Sequence, residues 1–383
     1  MTDWKRIRRL FMVPPGTVYM NNGSFGPCAR PVFDALVRYM KQLEEIPSNY
    51  GDLHARRDEV VKPKLASFVG SLPECTAIVT NLTWGMNVFS RGIRGLEPGD
   101  EILTTDQEYG AVDNAWDFAA EKRGLVIRRA AIPMPPDSAA QIVRIIESGI
   151  TPRTRVLSFS HITTTTGLVL PAKEICRLAR ERGILTAIDG AHAPGMLRVD
   201  IGDIGCDFYA GNCHKWLCAP MGTAFIAANP RSWEMLDPFL VGWGWKKGEP
   251  ETFAGNFDSH GIHNVALANA IGDAIDFQLS IGREEIEARG REIAEYGKDV
   301  FTRIPGARLL TPRDPALCGS MASYALPPLE DGERMLNALR SRNLFIPAGA
   351  NSAGGRMRVS THIYNGFEDV DLLAGALRES YGF

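Results

Sequence analysis

Tyr209-Ala-Gly-Asn-Cys-His-Lys-Trp216 decides how this sequence is read. The run opens as a β-prone apolar segment and turns polar, so Lys215 falls just past the end of a strand. A second such segment lies upstream, Thr186-Ala-Ile-Asp-Gly-Ala-His192, and its strand ends on Asp189. An unpaired carboxylate closing an apolar strand is costly. In open α/β sheets, ligands gather outside the carboxyl ends of the strands, and an Asp and a Lys there would face a common site. Each residue alone has an ordinary explanation. A strand-end Asp commonly caps a helix, and a strand-end Lys is commonly solvated.

Working outward, short β-rich runs alternate with helical patterns. The candidate strands are Thr76–Asn81, Glu101–Thr105, Val126–Arg129, Arg155–Ser160, Ile184–Asp189, Asp207–Ala210 and Thr223–Ala227. Helical patterns such as Ala172–Arg182 fall between them, as in a mostly parallel sheet covered on both faces. The character changes near residue 262. Two long amphipathic stretches follow, Asn264–Leu279 and Glu284–Ile304, then a helix near Gly332–Arg342 and a strand at Arg356–Ser360. The expected division is a large domain over 18–262, and a smaller α+β domain over 263–383 with which residues 1–17 pack. The basic residues Lys5, Arg6, Arg8 and Arg9 read as the polar face of an N-terminal helix.

The bulk numbers exclude some classes. Of 383 residues, 45% are hydrophobic and 23% charged, ordinary for a soluble globular protein with room for a sizeable core. A formal charge of −3 gives no footprint for nucleic acid. No run approaches a membrane span, and no signal-peptide pattern opens the chain. Seven cysteines without regular spacing do not suggest a disulfide framework, so a reducing, cytoplasmic location is the default expectation.

Several polar residues fall at the same strand ends. Thr83, in Asn81-Leu-Thr-Trp-Gly-Met-Asn87, opens a helix where its hydroxyl and the N–H groups of Trp84 and Gly85 would suit a phosphate. Tyr109, after Glu108, would stack on a flat ring, or be a half-buried strand-end aromatic. His192 would donate to a phenolate oxygen, and His214 would reach a phosphate. A lysine and an aspartate so arranged are what pyridoxal phosphate requires. The amine bonds the cofactor aldehyde, and the carboxylate keeps the pyridine nitrogen protonated.

The chain resembles the class V, fold-type I pyridoxal phosphate enzymes, and within them the isopenicillin N epimerase-like branch, related to cysteine desulfurases and selenocysteine lyases. The resemblance runs from Tyr19-Met-Asn-Asn-Gly-Ser-Phe-Gly26 through Asn81–Asn87, Glu108–Ala111, Ser160–Thr163, Asp189–His192 and Gly211–Leu217 to Arg356–Asn365. It implies a mostly parallel seven-stranded sheet and a homodimer with shared active sites. Lys215 would be the cofactor-bonding lysine and Asp189 the partner of the ring nitrogen. Tyr109 would stack on the ring. Thr83, Trp84, Asn212 and His214 would contact the phosphate, and His192 would lie near the phenolate oxygen. Arg358 would grip the substrate carboxylate, a task suited to a planar fork. Trp243, Trp245, Asn49, Tyr50 and His54 are candidates for the substrate entrance.

There are departures from the family pattern. Desulfurases carry a nucleophilic cysteine shortly before the arginine; here Pro347-Ala-Gly-Ala-Asn-Ser352 has none. Asn256 stands where relatives place a threonine that reaches the neighbouring subunit's phosphate, and Phe257 where the epimerase-like branch often has arginine. Epimerisation, β-elimination and transamination share a first step and are not separated by these residues. Two other classes remain open: a metal site from Cys206, Asp207, Cys213, His214 and Cys218, and a non-catalytic cofactor-binding protein.

Overall fold

A computed structural model describes residues 2–248, 251–258 and 261–383. After a short strand, β1 (Val18–Tyr19), come seven longer ones: β2 (Thr76–Val79), β3 (Glu101–Thr105), β4 (Val126–Ala130), β5 (Thr154–Ser160), β6 (Leu185–Asp189), β7 (Phe208–Asn212) and β8 (Ala224–Ala228). They form one sheet in the order β2-β8-β7-β6-β5-β3-β4. β8 is antiparallel to both neighbours and every other pairing is parallel. This matches the expected mostly parallel, seven-stranded α/β sheet.

Both faces of the sheet are covered, so its inner strands carry apolar residues on each side. Ile78, Leu103, Leu157 and Ile188 belong to one apolar cluster. Their neighbours Ala77, Ile102, Val156 and Ala187 belong to another. That alternation is the period-two pleat. Edge strand β4 carries charge instead, with Arg128 reaching Glu101 and Arg129 reaching Asp117. The helix Ala172–Glu181 stops at Gly183, whose φ of +66° is the left-handed conformation that glycine adopts freely.

Spatial order departs from chain order at β3. The chain leaves β3 for β4 on one side, then returns to β5 on the other. Loops after β3 and β5 therefore diverge and leave a crevice at their carboxyl ends.

The remaining strands are β9 (Arg308–Leu309), β10 (Met321–Leu326), β11 (Leu344–Phe345), β12 (Ala348–Asn351) and β13 (Gly354–Ser360). An antiparallel sheet in the order β12-β13-β10-β9 packs with the helices Arg283–Phe301 and Phe367–Ser380 around a third cluster. β1 pairs in parallel with β11, and Asn21 bridges to Ser360, so the N-terminal segment is threaded into this unit. The helix Trp4–Arg8 docks there through Arg8–Asp369 at 2.7 Å. The segment then returns to the large sheet at Gly26. Its N–H donates to the His214 carbonyl, and a Cβ there would lie 1.9 Å from the Lys215 carbonyl oxygen, so only glycine fits.

One buried ion pair closes the free edge of β2. Asp258 accepts from Lys62 Nζ at 2.6 Å and from the Ile78 N–H at 2.9 Å. Asp258→Ala leaves a strand N–H unpaired and the buried ammonium only the more distant Asp58 at 3.8 Å, and is expected to cost about 3–5 kcal/mol in denaturant unfolding. Lys62→Met with Asp258→Leu should recover much of that loss. A loss below about 1 kcal/mol in the single variant would show that water replaces the carboxylate.

Candidate active site

At the carboxyl ends of β3, β5, β6 and β7 lies a cavity of about 280 Å³, whose lining includes Lys215, Arg358, Tyr109, Thr83, Asn212 and His214. Asp189 closes β6 just behind Ala191, and its Oδ1 accepts the Ala191 N–H at 2.8 Å. Burial lifts its pKa to about 6, against the opposing effects of that hydrogen bond and of Lys215. Burial acts the other way on Lys215, bringing it down to about 8, with Asp189 resisting and Arg358 assisting the fall. About a tenth of the amine is therefore uncharged at pH 7, far more than for an ordinary lysine.

Arg358, on β13, enters from the other unit. Its Nη1 donates to the Thr164 carbonyl at 3.2 Å, and its Nη2 to Ser24 Oγ at 2.6 Å and Asn21 Oδ1 at 3.3 Å. Its Nε is buried and has no hydrogen-bond partner among the described residues. Burial lowers its pKa to about 10, which leaves it charged at neutral pH. The guanidinium is thus pinned along one side by neutral acceptors, with a donor left over.

The histidines have defined tautomers. Trp216 Nε1 donates to His192 Nδ1 at 3.2 Å, so the neutral ring carries its proton on Nε2 and donates it to Thr164 Oγ1 at 3.0 Å. Burial holds His192 well below its ordinary pKa. Its expected place beside a phenolate oxygen is therefore taken by the Thr164 hydroxyl, and it is Thr164, not His192, that lines the cavity. His214 Nδ1 donates to the Thr223 carbonyl at 3.0 Å, leaving Nε2 as the free ring nitrogen. A phosphate at Nε2 would be met by the imidazolium form.

The helix Leu82–Gly92 presents its N-terminus to the cavity, but with fewer free donors than expected. The Trp84 N–H is taken by Asn81 Oδ1 at 2.8 Å and the Gly85 N–H by the Asn81 carbonyl at 3.3 Å. Trp84 itself packs edge-on against Phe239. The Leu82 N–H goes to Asn212 Oδ1 at 3.0 Å, which leaves the Asn212 amide N–H₂ for a ligand. Thr83 retains its hydroxyl and its first-turn N–H. Tyr109 lines the cavity with 45% of its surface exposed, as a ring awaiting a stacking partner would be.

Several expected residues lie outside this cavity, His54, Asn256 and Trp243 among them. His54 lies on the helix Tyr50–Arg56 with its Nδ1 3.4 Å from Asp58. Asn256 is buried and donates to Glu251 at 3.1 Å. Trp243 is 96% exposed. The side chains that suggested a metal are committed elsewhere: Asp207 takes the Thr186 N–H and hydroxyl, and Cys218 lies against His362. Among the described residues no three His, Cys, Asp or Glu side chains gather as a metal site.

Sequence reading missed Thr164, Asn21, Ser24 and Glu108. Glu108 is buried between the Thr105 and Ser160 hydroxyls, at 2.5 and 2.6 Å, and burial pushes its pKa to about 8. Its signal was a carboxylate three residues past a strand-end threonine.

These residues fit pyridoxal phosphate. An amine lines the cavity with a carboxylate close behind it, an aromatic ring is exposed, Thr83, Asn212 and His214 form a set of phosphate partners, and the Arg358 guanidinium in the lining suits a carboxylate.

Comparison with known proteins agrees. The isopenicillin N epimerase of Streptomyces clavuligerus is 36% identical over 392 residues, covering 98% of each chain. The isopenicillin N epimerase of Amycolatopsis lactamdurans is 34% identical, covering 99% of this chain and 98% of its own. Among solved structures, the apo cysteine desulfurase of Thermococcus onnurineus NA1 superposes with a TM-score of 0.88 at 20% identity, over 100% of this chain and 99% of its own. Residues 18–373 match the family described as Aminotransferase class-V, and the chain belongs to that family.

Proposed function

We propose that this enzyme removes the Cα proton of an α-amino acid and returns it to the opposite face, as an epimerase or racemase. The observation that carries this reading is the convergence of Lys215 and Arg358 on one cavity whose lining contains no cysteine, with Asp189 close behind Ala191 of that lining. Similarity over nearly the full length to two isopenicillin N epimerases supports the reaction class. β-Elimination would begin with the same proton removal and differs in its product.

Pyridoxal phosphate supplies an electron sink for the pair left at Cα. The chain's own residues do the rest. Thr83, Asn212 and His214 would hold the phosphate, and Tyr109 would cover the ring. Asp189, ionised above about pH 6, would hold a proton at the ring nitrogen. Arg358 would receive the substrate carboxylate, its guanidinium oriented by Asn21, Ser24 and Thr164. Lys215, with its pKa near 8, is poised to take the proton from one face of Cα, and inversion requires that a proton be delivered to the other face by a second donor.

Desulfuration lacks its nucleophile. Cys318 is buried with its Sγ 3.1 Å from Lys298 Nζ, and Cys28 lies against the Cys218 carbonyl. A homodimer completes the reading. Large apolar side chains stand exposed at Phe33, Val37, Val241, Trp243 and Ile262, surface that a second copy would cover.

Deuterium exchange at Cα, screened over amino acids, tests the central claim. Exchange is expected in the holoenzyme and should fall about 10²–10⁴-fold in Lys215→Ala. Borohydride should fix the cofactor to Lys215, and a label mapped to another lysine would remove the assignment. Asp189→Asn should lower the Lys215 pKa of the apoprotein below about 8, because losing the carboxylate disfavours the ammonium. An NMR titration of the isotopically methylated amine reads this directly; an unchanged value would mean that Asp189 does not act on Lys215. Light scattering should give twice the chain mass at micromolar concentration, and a fully active monomer would contradict the shared site.

A further inference from the structure

Inversion at Cα needs a proton carrier on each face, and Lys215 serves only one. The lining of its cavity offers few others. Three are aliphatic hydroxyls, which are far weaker acids than a phenol. Of these, Ser24 Oγ is held by Arg358 and Thr164 Oγ1 by His192. Arg358 stays charged at neutral pH and is itself bound to three acceptors. His214 directly precedes Lys215 in the loop after β7, with its Nδ1 tied to the Thr223 carbonyl, so it enters from the lysine's strand. Tyr109 remains, and its phenol is an O–H of the kind that enzymes use as a general acid.

The sheet puts Tyr109 on the other flank of the cavity. Lys215 follows β7 and Tyr109 follows β3, with β6 and β5 between them. Neighbouring strands lie about 4.8 Å apart, so these two strand ends stand roughly 14 Å apart, with Asp189 at the end of β6 between them. Two long side chains that line one cavity across such a gap bracket whatever occupies it. The backbone of Tyr109 is held on both sides. Its carbonyl accepts the N–H groups of Val112 and Asp113 at 2.7 and 3.1 Å, at the start of the helix Gly110–Arg123. Before it, the Glu108 carboxyl is bonded to Thr105 of β3 and Ser160 of β5, which ties the loop to both strands. The tyrosine side chain is exposed, so water can reload it.

We propose that the Tyr109 phenol is the second proton carrier, meeting Cα on the face opposite Lys215. The proposal rests on the epimerase reading above. In one direction the Cα–H bond breaks, its proton passes to the Lys215 amine, and the electron pair stays with the carbon and its electron sink. The Tyr109 O–H bond then breaks, its proton joins the same carbon from the other face, and a phenolate is left. Water returns a proton to the phenolate and takes one from the ammonium, so the protein ends as it began. In the reverse direction the phenolate takes the proton and the Lys215 ammonium gives one.

Tyr109→Phe keeps the ring and removes only the transferable proton, and at an exposed position it opens no hole in the core. Holoenzyme in heavy water is given each isomer of an amino acid separately. Wild type should exchange and interconvert both. In Tyr109→Phe the isomer whose Cα–H faces Lys215 should go on exchanging with its configuration retained. Exchange of the opposite isomer, and interconversion, should fall about 10²–10⁴-fold. Calorimetry of the apoprotein with pyridoxal phosphate should give an affinity within about twofold of wild type, because stacking uses the ring and not the hydroxyl. Interconversion at the wild-type rate in the variant, or equal loss of exchange in both isomers, overturns the assignment. So does a large loss of cofactor affinity, since the hydroxyl would then serve the cofactor and not Cα. Those outcomes leave the parent reading standing. If wild type exchanges neither isomer, or exchanges without inverting, the parent reading fails and the proposal falls with it.

Discussion

An ammonium and a carboxylate buried in one wall are the constraint around which this protein is arranged. Removing either from water costs several kcal/mol, and neither is tolerable without the other's charge or a ligand's. The sheet supplies the geometry. β6 and β7 are parallel neighbours in register at Asp189 and Ala210, so the carboxylate ends one strand and the lysine follows the next. Distant elements then grip the lysine's loop by its backbone. Asn22 donates to the Lys215 carbonyl at 3.4 Å, Gln278 donates to the Trp216 carbonyl at 2.6 Å, and Gly26 abuts the Lys215 carbonyl from the N-terminal segment. Fixing the peptide leaves the side chain free to exchange partners.

Much of this was legible because it is local. Strand-end positions for Asp189, Tyr109 and Lys215 follow from apolar runs that break on polar residues. The seven strands fall where those runs fall, since strands buried on both faces show their boundaries plainly. Glycine after the helix Ala172–Glu181 was likewise readable as a cap. What sequence could not show depends on who occupies a donor. Trp84 and Gly85 looked like free N–H groups, but Asn81 satisfies the first with its side chain and the second with its backbone carbonyl. His192 looked like a ligand contact, but its two ring nitrogens are taken by Trp216 and Thr164.

Thr164, Asn21 and Ser24 were hidden for another reason. They act on Arg358 through one backbone carbonyl and two small polar groups, and neither the spacing nor the residue type marks such a role. Their importance comes from tertiary closure, when β13 lies against the N-terminal segment. Glu108 belongs with them. Its carboxyl sits between hydroxyls from two strands that are neighbours in space but not in sequence.

That closure also orders the protein's birth. Arg358 bonds to Asn21 across 337 positions and to Ser24 across 334. While the chain is being made, the sheet that holds Asp189 and Lys215 emerges well before β13. Its contacts are closer in sequence, and it can begin to assemble on the ribosome as an N-terminal unit. Asn21 and Ser24 must wait for Arg358 until the last strand appears. A nascent chain can therefore shape the sheet that carries Asp189 and Lys215 before the arginine that closes over them has been made.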